Sequence, residues 1–196
     1  MQNTDRAGRF KGALADVSSI FQFAMKVSAI EAIAAALAAA EVRYLVAGGI
    51  AVNAHGYLRM TNDLDLVIHL DPDNVNRGWS ALEALGYRPA IPVTAEQFAD
   101  RSTREDWIRE KGMQVLPLWS DRHRDTPVDV FVAEPFDFPT EYAKAYWGEL
   151  SSDVRIPFVR LETLIRMKED VGRPRDLDDV EHLRMIQEDR GDEEAG

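Results

Sequence analysis

The chain has 196 residues, enough for one substantial domain with its own hydrophobic core and short for two independent ones. Hydrophobic residues make up 45% and charged residues 29%, which excludes general disorder, and the absence of cysteine excludes disulfides, thiolate metal sites and a cysteine nucleophile. A formal net charge of −11 argues against a broad basic surface that tracks nucleic acid through its phosphates. Much of the acid is concentrated near the C-terminal end, in Glu188-Asp189 and Asp192-Glu193-Glu194, which reads as a frayed, solvated tail. Two local basic groups, Arg101/Arg104/Arg109 and Arg122-His123-Arg124, read as solvated surface with the chemistry to meet a phosphate or an acidic partner.

The first dozen residues, with Gly8, Gly12 and several charges, predict little order. Apolar residues at Ile20, Phe23, Ala24, Val27, Ile30, Ala34 and Leu37 recur at helical spacing, which predicts a helix from about Val17 to Ala40. Its Ala-rich stretch, Ala29 to Ala40, is interrupted by Glu31 and too short to cross a bilayer. No signal peptide or membrane span is visible, and the lack of cysteine suits a cytoplasmic protein. Val42–Ala47 predicts a first strand, broken by Gly48-Gly49, and Ile50–His55 a short helix closed by Gly56.

Asp63–Leu70 predicts a second strand, and Asp71-Pro72-Asp73 starts a helix to about Leu85. Gly86-Tyr87-Arg88-Pro89 closes that unit, and Thr94 with Glu96-Gln97 opens a helical stretch toward Glu110. Met113–Trp119 reads as a strand whose Pro117 implies an edge or a bend, Ser120–Pro127 as a polar loop, and Val128–Val132 as a short strand. Pro139–Gly148 reads as a helix with Tyr142, Ala145 and Tyr146 on one side, and Val154–Val159 as an extended segment. Two final helices, Leu161–Val171 and Leu177–Gln187, are separated by Gly172-Arg173-Pro174-Arg175. The expected organisation is a tail and helix over 1–41, a core over 42–160, helices over 161–190 packed on it, and a disordered acidic tail over 191–196. The fold class is α/β or α+β, with helices covering a mostly antiparallel or mixed sheet.

Asp63-Leu64-Asp65 is the most chemically specific feature. On a strand the two carboxylates face the same way, where they repel and lose hydration unless a hard divalent cation lies between them. Gly48-Gly49, between a strand and a helix, lets backbone amides approach a phosphate beside the positive end of the helix dipole; alone, such a pair is as readily a tight turn. Asp129, alone among Val128 and Val130, asks for a cation or a donor such as Arg59. If its strand lies beside the Asp63 strand, three carboxylates converge, and two metals bridged by them would stabilise the attacking and leaving oxygens of an in-line phosphoryl displacement, with Asp129 placed to take a proton from the attacking hydroxyl. Arg59 has the charge to neutralise phosphate and Thr61 the hydroxyl to bond the aspartate strand, whereas His55 reads as a helix-terminal histidine and Trp107 and Trp119 as core aromatics.

Together Gly48-Gly49, Asp63-Leu64-Asp65 and Asp129 resemble the glycine turn, paired aspartates and third carboxylate of the nucleotidyltransferase superfamily, the fold of DNA polymerase β. Gly48 through Val52, His55-Gly56, and Arg59-x-Thr61-x-Asp63-Leu64-Asp65 are most similar to the bacterial AbiEii-type proteins of toxin–antitoxin and phage-defence systems. Leu164-Ile165-x-Met167-Lys168 and Asp176-Leu177-x-Asp179 resemble that group's later lysine and D-x-x-D motifs. The resemblance spans Val42 to Gln187. It implies transfer of a nucleoside monophosphate from an NTP to an RNA, protein or small-molecule acceptor, with Mg²⁺ or Mn²⁺ held by Asp63, Asp65 and Asp129. Lys168 would contact the triphosphate, Gly48, Gly49, Arg59 and Thr61 would serve the nucleotide, and Asp176 and Asp179 would support the metal, the nucleotide or the acceptor. Ile50 departs from the pattern, since many relatives carry serine or threonine there, so this turn would work through its amides. A toxin would imply a tRNA or protein acceptor and an antitoxin partner. Two other readings compete: a catalytically silent binding or regulatory module of the same fold, and a structural protein that pairs through its Ala-rich N-terminal helix.

Overall fold

The computed structural model describes residues 27–151 and 154–195, so the first part of the expected N-terminal helix, the tail before it and residue 196 lie outside the described residues. Helix α1 spans Val27–Ala39 and buries Ile30, Ile33, Ala34 and Leu37, the stripe expected from their spacing. The remaining elements follow as β1 Tyr44–Val46, α2 Gly48–His55, β2 Leu64–Ile68, α3 Pro72–Ala84, β3 Tyr87–Pro89, α4 Ala95–Ala99 and α5 Arg101–Lys111. After these come β4 Val115–Ser120, β5 Val128–Phe131, α6 Phe138–Ala143, β6 Tyr146–Ser151, β7 Val154–Phe158, α7 Leu161–Val171 and α8 Pro174–Ala195.

Among the described residues seven strands form one mixed sheet in the order β3-β4-β5-β2-β1-β7-β6. The β1–β7 and β2–β5 pairs are parallel and the others antiparallel. One face, carrying Leu66, Val130, Leu116, Leu118 and Phe158, is buried, with α1 against β7 and α3 against β2 and β3. On the other face α2 packs against β2, α7 and α8. No helix among the described residues is long and apolar enough to cross a membrane.

Several local expectations are corrected. The segment from Tyr146 to Gly148 is not helical: α6 ends at Ala143, and Tyr146, Trp147 and Gly148 pair with Phe158, Pro157 and Ile156 in an antiparallel hairpin. The backbone bonds of that hairpin outweigh the helical spacing of Tyr142, Ala145 and Tyr146. The Thr94–Glu110 stretch is two helices, because Asp100 takes an extended conformation and its carboxylate caps α5 by accepting from the Thr103 N–H. Strand β4 is neither at the edge nor interrupted at Pro117, since β3 flanks it. The Pro117 carbonyl accepts from Ala90 just past the end of β3, so the missing proline N–H lies on that same side, where the ladder has run out. The last helix begins at Pro174 and continues through Glu188–Glu194, which reads as a frayed tail in the sequence, to Ala195.

Candidate active site

Strand β2 places the site. Leu64 and Leu66 are buried on one face, which leaves Asp65 on the other, and Asp63 stands immediately before the strand. Strand β5 runs parallel to β2 with Asp65 opposite Asp129, flanked by Leu64 opposite Val128 and Leu66 opposite Val130. In-register neighbours share a face, so Asp129 joins the pair from the adjacent strand. Burial, followed by the charges of Asp63 and Asp129, pushes the Asp65 carboxyl up to about 7, against the pull of Lys168 and the Gly49 backbone. Burial and then Asp63 also raise Asp129 above its ordinary value.

Asp63 and Asp65 line a cleft of about 240 Å³ together with Gly48, Gly49, Arg59, Thr61, Lys168 and Asp176. Its other walls are Phe131 from β5, Leu164, Met167 and Val171 from α7, and Arg173 and Arg175 from the break before α8. Asp129 and Asp179 do not line it; Asp129 acts on it through Asp65, and Asp179 from behind its basic side chains.

The two glycines are in the first turn of α2, not ahead of it as the sequence implies. Gly48 has φ +61°, and a Cβ there would come within 1.7 Å of Asp65 Oδ2. A Cβ on Gly49 would come within 2.3 Å of Thr61 Oγ1. Both positions therefore need glycine because Asp65 and Thr61 press onto this backbone, a reason internal to the chain and separate from any phosphate. Thr61 Oγ1 also donates to Asp63 Oδ1 at 3.1 Å, which fixes the first aspartate from the side.

The basic side of the cleft is held by carboxylates. Lys168 Nζ lies 2.8 Å from Asp176 Oδ1 and 2.9 Å from Asp179 Oδ2. Arg59 donates to both oxygens of the fully buried Asp179, from Nε at 2.5 Å and Nη2 at 2.7 Å. Burial alone would raise Asp179, but the bonds from Arg59 and Lys168 outweigh it and hold the carboxyl below its ordinary value. Arg59 thus pairs with Asp179 and not with Asp129. Asp176 and Asp179 hold Lys168 and Arg59, and Asp176, on the cleft wall, keeps a buried Oδ2 with no hydrogen-bond partner among the described residues, 3.5 Å from Arg173 Nε.

His55, buried at the end of α2, bonds the Val159 carbonyl through Nε2 at 2.8 Å. Burial pushes its pKa down to about 4, and it does not line the cleft, so its task is to fasten α2 to the exit of β7. Trp107 is buried as expected, but Trp119 is 45% exposed. A largely apolar Met113–Trp119 run implies a core Trp119, but the alternation of exposed Pro117 and Trp119 with buried Leu116 and Leu118 puts it outside. Arg173 and Arg175, which read in the sequence only as part of a helix break, stand on either side of Pro174 at the helix start and line the cleft.

The crowded carboxylates fit a hard divalent cation by charge: burial first, and then the charges of Asp63 and Asp129, raise Asp65, and a cation would offset both. Among the described residues no three His, Cys, Asp or Glu side chains are grouped so as to hold a metal ion.

No protein-family model matches the chain, and no curated protein does. Among solved structures, the antibiotic-resistance factor ANT(2'')-Ia is similar with a TM-score of 0.51 and 18% identity, over 85% of this chain and 85% of that one. The lincomycin-bound lincosamide antibiotic adenylyltransferase LnuA has a TM-score of 0.48 at 13% identity, over 89% of this chain and 96% of that one. With its mixed seven-stranded sheet, the helix between β1 and β2, and helices at both ends of the described chain, this protein has a nucleotidyltransferase-like fold.

Proposed function

We propose that the protein is a Mg²⁺-dependent nucleotidyltransferase that moves a nucleoside monophosphate from an NTP to a hydroxyl-bearing acceptor. The observation that carries this is the meeting of Asp63, Asp65 and Asp129 at one end of β2 and β5, beside a cleft whose opposite wall presents Lys168. Asp63 and Asp65 would hold the metal, which when bound neutralises charge on the phosphates. Lys168, fixed by Asp176 and Asp179, supplies a point charge to the triphosphate, and Arg173 and Arg175 add charge at the mouth. Asp129, with its carboxyl raised above its ordinary value by burial and then by Asp63, accepts the proton of the acceptor hydroxyl. The acceptor oxygen bonds to the α-phosphorus, the bond from that phosphorus to the oxygen bridging to the β-phosphorus breaks, and pyrophosphate leaves with the electron pair.

The AbiEii-like motifs point further, to the toxin half of a toxin–antitoxin pair acting on RNA or protein. A neighbouring small DNA-binding antitoxin would support that refinement.

The test is incubation with each α-labelled NTP, Mg²⁺ and separate pools of RNA, protein and small metabolites. Metal-dependent label transfer that disappears in Asp63→Asn and Asp65→Asn is the expected result. NTP binding without transfer to any pool favours a silent module, the reading that Ile50 supports; absence of both transfer and NTP binding rejects the enzyme.

A further inference from the structure

The sheet face that carries Asp65 is open on one side of the site. Across it the register runs from Asp65 to Asp129 and then to Pro117 of β4, and two residues along β4 it reaches Trp119, opposite Arg88 of β3. In-register and alternate residues share a face, so these side chains all project the same way. Arg88, Pro117 and Trp119 are exposed, whereas Leu116, Leu118 and Tyr87, on the reverse face, are buried.

Trp119 is the centre of this surface. It is 45% exposed on a rigid strand and makes no ring or cation contact among the described residues. Arg88 and Arg122 flank it around one shallow depression with Gly86, Ser120 and Asp121. Neither guanidinium has an ion-pair or hydrogen-bond partner among the described residues. By contrast, Asp121 is engaged by Arg124 at 2.9 Å. Gly86 turns the chain beside this depression at φ +86°, a left-handed conformation that favours glycine. A flat aromatic ring between two unpaired guanidinium groups is the arrangement that holds a base by stacking and its phosphates by charge.

We infer that this surface, Trp119 with Arg88 and Arg122, is the acceptor platform and that its occupant is a single strand of nucleic acid delivering its terminal hydroxyl to Asp129. The inference rests on the proposed transferase reading for the reaction and on the sheet face for the occupant. Charge complementarity selects the nucleic acid: on a chain of net charge −11, two unpaired arginines beside an exposed tryptophan offer a local site for a polyanion. Continuity selects its role, because the platform and Asp129 lie on adjacent strands of one face, with Cα positions on the order of 8 Å apart. A stacking platform reads any base, so the platform supplies affinity and direction and little sequence preference.

The experiment is fluorescence anisotropy of the full chain with a 5′-fluorescein single-stranded RNA hexamer, its DNA counterpart and the matching RNA duplex. Wild type is expected to bind the single strands more tightly than the duplex and to lose affinity as salt rises. Trp119→Ala should weaken binding on the order of tenfold or more, and Trp119→Phe should restore most of it. Arg88→Glu and Arg122→Glu should each weaken binding and flatten its salt dependence. Asp63→Asn should bind the strand normally, which separates the platform from the catalytic reading. If the single strands bind and the Trp119 and arginine variants behave as stated while no nucleotide transfer is found, the platform stands and the enzyme reading fails. Transfer to a protein or small molecule, with oligonucleotide binding absent or untouched by these four substitutions, overturns the platform and leaves the enzyme.

Discussion

Arg59 and Asp179, 120 residues apart in the chain, meet in a two-pronged ion pair with both carboxylate oxygens occupied, at 2.5 and 2.7 Å. Asp179 is fully buried and also meets Lys168, so one carboxylate ties the segment before Asp63 to two C-terminal helices. Removing it by Asp179→Ala leaves Arg59 without its carboxylate in a partly buried setting and Lys168 with Asp176 alone, a loss of about 3–5 kcal/mol. A melting temperature lowered by on the order of 10 °C is expected. Arg59→Lys keeps the charge but cannot span both oxygens, so it should fall between wild type and Asp179→Ala. An Asp179→Ala protein that melts with wild type would reject the clamp.

Asp65 and Asp179 have opposite pH signatures. Asp179 is held below its ordinary value, so its contribution is present at neutral pH and is lost only as pH falls through and below the usual carboxylate range. Asp65 is raised from 3.8 to about 7, so the folded state binds that proton more tightly than the unfolded one. Its contribution is complete below about pH 4 and is lost as pH rises toward 7. Without divalent cations, wild type should therefore lose stability between pH 5 and pH 8 relative to Asp65→Asn. Adding Mg²⁺ should recover the difference at pH 8 and do little at pH 5. Thermal melts of both proteins with and without Mg²⁺ decide it, and parallel curves would mean that Asp65 is not strained.

Gly48 is constrained twice, by φ +61° and by Asp65 Oδ2 in the place a Cβ would take. Gly48→Ala should cost about 1–2 kcal/mol for the left-handed backbone, and in addition it must displace the Asp65 carboxylate. A displacement near 1 Å at a reacting centre costs on the order of 10²-fold in rate. Nucleotide transfer should thus fall far more than stability does. Gly112, also at positive φ but with nothing near its Cβ position, is the control: Gly112→Ala should show the backbone cost alone.

Much of this site was legible because its parts are local. Strand alternation put Asp63 and Asp65 on one side, and the single acid in the Val128–Val132 run marked the adjacent strand. What sequence could not supply was partnership across the fold. Asp176 and Asp179 share a helix face at a spacing of three, which does not show that Lys168 reaches both of them or that Arg59, far away in the chain, grips Asp179. The glycines follow the same rule, since nothing in Gly48-Gly49 announces that Asp65 and Thr61 will press on them. Tyr146 and Trp147 carry a helical pattern in the sequence because their hairpin partners, Phe158 and Pro157, lie twelve and ten residues further on. Trp119 was lost to the core for a related reason: apolar content identifies a strand, but which face is covered depends on helices elsewhere.

Asp129 offers the sharpest separation of roles within the carboxylate group. It faces Asp65 across β2 and β5, and burial and Asp63 raise its carboxyl, yet it does not line the cleft in which Asp63 and Asp65 stand. A proton acceptor should matter to the rate and little to nucleotide affinity, whereas residues that hold the metal should matter to both. Asp129→Asn is therefore expected to lower the transfer rate by 10²–10⁴-fold with NTP affinity within about threefold of wild type. Asp63→Asn should abolish the Mg²⁺-dependent part of NTP binding as well. Because Asp129 must be ionised to accept a proton, the wild-type rate should climb with pH through a carboxylate titration displaced above the ordinary range. In Asp129→Asn that rising limb should be missing. Single-turnover rates across pH 4–9, set beside NTP binding by titration calorimetry, measure both quantities. An unchanged limb in Asp129→Asn would assign the proton to another group and reduce Asp129 to an electrostatic neighbour of Asp65.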